Sequence, residues 1–127
     1  MPGKHLYEYA VVRLVPRVER EEFMNVGVII FSKHSDFLKC KLYLDEVKKK
    51  LLCPNMDLEE IEANLDSFEK ICSGSPDGGV IAQWETSDRF RWLTAERSAS
   101  IQTSRPHSGF SDDLDATLER LFEEMVL

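Results

Sequence analysis

Val26-Gly27-Val28-Ile29-Ile30-Phe31 is apolar at every position that carries a side chain. A strand with one wet face would alternate between apolar and polar residues; a continuous β-branched run reads instead as a strand covered on both faces. This segment is therefore predicted to be the central strand of a sheet, and the rest of the chain is arranged around it. The glycine inside it marks a bulge or the close approach of a neighbouring backbone or aromatic ring, for which Tyr9 and Phe23 are candidates.

Upstream, Leu6 to Val15 is dense in tyrosine and β-branched residues, with Tyr7, Tyr9, Val11 and Val15 at period two, and is stopped by Pro16. The charged stretch Arg17 to Glu22 reads as a loop. Downstream, Ser32 to Asp36 is short and polar enough for a hairpin. Leu38, Cys40, Leu42 and Leu44 then alternate with Lys39, Lys41 and Tyr43, which predicts a third strand with one wet face. Asp45 opens a short helix through Leu52 that Pro54 ends.

Asp57 followed by Glu60 forms a capping-box start, and Leu58, Ile61, Leu65, Phe68 and Ile71 recur at the helical period as far as Ser73-Gly74. Ser75-Pro76-Asp77-Gly78-Gly79 is turn chemistry. Val80 to Trp92 matches neither period and reads as mixed. Ala99 to Thr103 suits an edge strand, Arg105 to Gly109 a loop, and Ser111 the cap of a last helix bearing Leu114, Leu118, Leu121, Phe122 and Met125. The expected fold class is α+β: one domain over residues 1–127, with a small, mostly antiparallel sheet of three to five strands and two amphipathic helices packed on one face.

Bulk properties narrow the functional classes. The chain has 127 residues, 43% of them hydrophobic and 31% charged, which is ordinary for a folded, water-soluble domain. No apolar run approaches the roughly 20 residues that span a bilayer, and the start of the chain lacks a signal-peptide pattern, so a cytoplasmic location and no membrane partner are expected. A net charge of −7 argues against nucleic acid as a partner. Cys40, Cys53 and Cys72 lack C-x-x-C spacing, and His5, His34 and His107 lack the spacing of a zinc site. Glu59, Glu62, Asp66 and Glu69 share a helical face that reads as solvated rather than as a cation site. No nucleophile elbow, phosphate loop or dinucleotide fingerprint occurs, so neither a metal nor another cofactor is expected.

One irregularity stands out. Every lysine lies at or before Lys70, and beyond it the only cations are Arg89, Arg91, Arg97, Arg105 and Arg120. Guanidinium forks bind carboxylate and phosphate bidentately, a task lysine performs less well. Arg89, Arg91 and Arg97 stand close to Ser98, Gln102, Ser104 and His107, a set able to line an anion site in which His107 would be acid or base. The competing structural reading pairs Arg89 and Arg91 with the acidic helix, over Trp84, Phe90 and Trp92.

Tyr9-Ala10-Val11-Val12-Arg13, Phe23-Met24-Asn25-Val26-Gly27-Val28, Arg89-Phe90-Arg91-Trp92-Leu93-Thr94-Ala95, Arg97-Ser98 and the later Gln102, Ser104, His107 and Gly109 resemble the bacterial domain-of-unknown-function family 3037. The resemblance adds Arg13 and Asn25, as weaker candidates, to the ligand-binding set. Glu96 stands where the family pattern has proline. The resemblance carries no established activity and implies a neighbouring kinase-like protein as partner. Two functional expectations follow: a non-enzymatic cytoplasmic accessory or interaction domain, or an enzyme or ligand-binding domain recognising a phosphate- or carboxylate-bearing molecule.

Overall fold

The computed structural model describes residues 4–15, 24–47, 49, 57–95 and 100–127. Among them, five strands form one open antiparallel sheet: β1 (His5–Leu14), β2 (Met24–Ser32), β3 (Phe37–Leu42), β4 (Ile101–Thr103) and β5 (His107–Ser111). The order across the sheet is β3-β2-β1, with β4 and β5 sharing the far edge of β1. Three helices accompany it: α1 (Leu58–Ser73), α2 (Thr86–Leu93) and α3 (Leu114–Met125). The α+β class and the antiparallel sheet are as the sequence predicts.

The covering of the sheet differs from expectation. Ala10, Val12, Leu14, Ile29 and Phe31 form one buried cluster with Ile61, Leu65 and Phe68 of α1 and Phe90 and Leu93 of α2. Val28 and Ile30 point the other way, into a second cluster with Tyr7 and with Leu114, Leu118, Leu121 and Phe122 of α3. The two long amphipathic helices thus lie on opposite faces, and β2 sits between them with Val28, Ile29 and Ile30 all fully buried. This is why β2 is apolar throughout: each alternate side chain enters a different core. Lys39 and Lys41 of β3, on the α3 side, reach its carboxylates Asp115 and Glu119, so the face expected to be wet is bordered by ion pairs.

A bulge shapes the centre. Val12 is opposite Gly27 and Arg13 is opposite Asn25, leaving Val26 as the extra residue, turned into the first cluster. Gly27 is required by close approach to β3, since a Cβ there would stand 2.6 Å from the Lys41 carbonyl oxygen and collide with the Leu42 side chain. The neighbour is thus strand β3, not an aromatic ring. Gly27→Ala is expected to cost about 1–3 kcal/mol, because a backbone carbonyl cannot move aside as a flexible side chain can. A urea titration of the two proteins checks it, and equal midpoints would contradict the stated packing.

The chain ends of the helices follow local chemistry. The Asp57 carboxylate accepts from the Glu59 and Glu60 amides at 3.0 and 3.3 Å, and Gly74 at φ 70° closes α1. Asp113, rather than Ser111, caps α3: its carboxylate accepts from the Ala116 amide at 3.1 Å, while the Ser111 hydroxyl accepts from the Asp113 amide. The mixed stretch resolves into a single 3₁₀ turn, Ile81–Gln83, and then α2, which Thr86 ties to the β2–β3 hairpin by donating to Asp36 at 2.6 Å. Glu46, Val47 and Lys49 are helical, and the remainder of the expected short helix, the loop after Pro16, Phe23 and Cys53 lie outside the described residues.

Candidate functional site

The residues expected to form one polar site are distributed over both faces of the sheet. Arg89 is buried inside the fold. Its Nη1 donates to the carbonyls of Ile71 at 3.0 Å and Cys72 at 2.9 Å, in the last turn of α1. These carbonyls lie at the negative end of the α1 dipole, and although the Ile71 oxygen also accepts from the Gly74 amide at 3.2 Å, a guanidinium is a fitting further cap. Arg91, two residues on, points into solvent with 81% of its side chain exposed and lies 3.7 Å from Asp88 on its own helix. The acidic face of α1 is served by lysines instead, Glu62 by Lys49 and Asp66 by Lys70. In both pairs the carboxylate raises the lysine pKa by hydrogen bonding. Arg89 and Arg91 therefore do not converge on one ligand; Arg89 does bind α1, as the structural reading supposed, but through its last carbonyls and not its acidic face, while Arg91 pairs with Asp88 on its own helix.

Ser104 has an internal duty as well. Between β4 and β5 the edge pairing breaks, and Ser104 repairs it. Its hydroxyl accepts from the Val11 amide at 2.9 Å and donates to the Arg105 carbonyl, while its own amide donates to the Val11 carbonyl. An unpartnered amide buried at that point would cost about 1–3 kcal/mol. His107 belongs to β5, not to a loop: it is opposite Tyr9, with the two rings 5.4 Å apart, and its side chain is exposed.

Arg13, Asn25 and Gln102 are brought together. Arg13 is opposite Asn25 on one side and Gln102 on the other, which places the three in a row across β2, β1 and β4 on the face that carries α3. The Asn25 side chain donates to the Met125 carbonyl at 2.8 Å and so closes the end of α3. Along β1 this row and the Tyr9–His107 pair are four residues apart, about 13 Å. Arg89 and Arg91 are on the helix covering the opposite face, so His107 has no reach to either. Arg97 and Ser98 lie outside the described residues.

The thiols are structural. Cys72 is buried in the first cluster with Cys40 half-buried against it. The side-chain hydrogen bond with Cys72, followed by burial, pushes the Cys40 thiol far above the usual range, which keeps it protonated and unreactive.

One of several surface concavities among the described residues is a shallow one lined by Trp84, Asp88, Arg91, Trp92 and Ala95. α2 builds it by sending Phe90 and Leu93 inward, where Phe90 stacks on Phe31 with ring centroids 4.9 Å apart. Trp84, just before the helix, is 43% exposed. Sequence reasoning assigned Trp84, Phe90 and Trp92 to packing, and Phe90 is core with Trp92 half-buried against it, whereas Trp84 is the exposed one. Trp84 just ahead of α2, with Arg91 and Trp92 within it, was the available signal, obscured because the stretch matched no single period.

Residues 9–126 match the model of a family described as Protein of unknown function (DUF3037). The chain belongs to the DUF3037 family. No curated protein and no solved structure matches it. The blocks of sequence that carry the DUF3037 resemblance fall on β1, the bulged start of β2, α2 and the β4–β5 edge. Arg89, Ser104, Asn25 and Gly27 within those blocks have the internal roles given above, so much of the family pattern here maintains architecture. No helix among the described residues is long and apolar enough to cross a membrane.

Proposed function

We propose that this DUF3037 domain is a non-enzymatic, cytoplasmic interaction module of a bacterium, and that it binds a kinase-like protein through the Trp84–Arg91–Trp92 concavity. The observation supporting this reading is the composition of that surface: two tryptophans and an arginine side by side, the residue types that dominate binding energy in protein interfaces. The Arg91–Asp88 pair is solvent-exposed and weak, so Arg91 can exchange it for a partner's carboxylate at little cost. The fitting partner segment is an apolar side chain flanked by an acidic one. Co-expression with the proposed kinase-like partner tests this, with Trp84→Ala and Arg91→Ala as probes. Each is expected to weaken the complex roughly tenfold or more without changing the melting temperature.

A second reading, recognition of a phosphate- or carboxylate-bearing molecule, is favoured by one observation, the Arg13–Asn25–Gln102 row. A bound anion would raise the melting temperature by mass action. A screen of phosphate esters and small carboxylates is then expected to give a stabilisation that Gln102→Ala abolishes; an equal shift in that variant contradicts the row as the site.

A further inference from the structure

β5 runs along β1 with His107 opposite Tyr9, Gly109 opposite Tyr7 and Ser111 opposite His5. The direction of each backbone group follows from two bonds further along β1. Val15 donates to the Ser100 carbonyl at 2.7 Å, and the Val11 carbonyl accepts from the Ser104 amide at 2.9 Å. The odd-numbered residues of β1 thus direct their N–H and C=O toward this edge, and alternation extends the rule to Tyr9, Tyr7 and His5. His107, Gly109 and Ser111 face back toward them. Ser108 and Phe110 therefore turn their backbone N–H and C=O outward, where no other strand pairs with them among the described residues.

Among the described residues, the strand at this edge lacks the usual protections. Sheet edges are blunted by lysine, by proline or by a covering element, whereas His107-Ser108-Gly109-Phe110-Ser111 contains neither of those residues. It also displays apolar surface. Phe110 is 71% exposed and its cross-strand neighbour Leu6 is 46% exposed, on the same face of the sheet. Gly109 keeps the opposite face flat, because the Tyr7 ring lies over it and a Cβ there would stand 2.6 Å from the Tyr7 hydroxyl.

We propose that β5 pairs antiparallel with β5 of a second copy of this chain, extending the sheet across a two-fold axis at Gly109. One register uses every outward group: Ser108 opposite the partner's Phe110, and Phe110 opposite the partner's Ser108, exchanging four backbone hydrogen bonds. Centring the pair on Ser108 instead would set Phe110 against Pro106, which has no N–H to give. An identical strand satisfies this register by symmetry, each copy giving the other the same two donors and two acceptors. On the exposed face, Phe110 and the partner's Phe110 become diagonal neighbours, within aromatic reach, and Leu6 of each copy flanks them.

Sedimentation velocity on the full chain over a wide concentration range tests this. Wild type is expected to reach a dimer of twice 14.6 kDa and to dissociate on dilution. Ser108→Pro removes only an outward donor, and Phe110→Lys places a charge on the edge. Both are expected to remain monomeric with the melting temperature of diluted wild type. A wild type that stays monomeric throughout, or a Phe110→Lys protein that still dimerises, overturns the proposal; the lysine variant decides should the proline variant fail to fold.

Discussion

Phe122→Ala is expected to destabilise the domain by about 4 kcal/mol, the largest effect among the single substitutions considered, since emptying a buried phenylalanine site removes both transfer free energy and packing. Phe122 is 4% exposed and packs with Val28, Ile30, Leu118 and Leu121 in the second core cluster, and the Lys41 ammonium stands 4.8 Å from its ring centre. If α3 covered the same face as α1, this position would be peripheral and its loss mild. The urea midpoint should fall with little change in slope. Glu123→Ala, one residue away on the exposed side of α3, should leave the midpoint nearly unchanged. A small loss in Phe122→Ala would contradict the two-sided core.

Arg89→Ala is expected to cost on the order of 3 kcal/mol, because it removes charged hydrogen bonds to two buried carbonyls and leaves both without that donor. Arg89→Lys should recover only part of the loss, since an ammonium on a shorter, flexible stem is not held where the rigid guanidinium sets Nη1 between the Ile71 and Cys72 carbonyls. Arg91→Ala, with its side chain in solvent, should change stability little. Thermal melts of the three proteins check the pattern. Equal effects at positions 89 and 91 would show that the two arginines are not divided between fold and surface.

The sheet was legible because its signals are local. The apolar run of β2, the alternation in β3 and the Asp57 cap of α1 are each settled within a few residues. Both-face burial of β2 also implied two covering layers, yet helix patterns give a buried stripe without saying which side of the sheet receives it, and the placement of α3 was missed for that reason. β5 read as a loop because Pro106 and Gly109 are turn residues. What makes the segment a strand is non-local: β1 extends beyond β4 and supplies a partner for each of its residues.

The candidate site was harder to read. Clustering in sequence brought Arg89, Arg91, Ser104 and His107 together, but α2 lies over one face of the sheet and His107 projects from the other. Arginine bound to a helix end and arginine awaiting a partner have the same sequence signature. Only the carbonyls of Ile71 and Cys72, eighteen and seventeen residues away, distinguish them.

On the proposed reading this domain acts through exposed Trp84 and Arg91 beside half-buried Trp92, and not through a pocket of converging arginines. Titration calorimetry of the purified domain against the proposed kinase-like partner, for wild type, Trp84→Ala and Arg91→Ala, tests it most directly. The account predicts a complex that both variants weaken roughly tenfold or more while retaining the wild-type melting temperature. No complex with wild type, or variants that bind as wild type does, would contradict it.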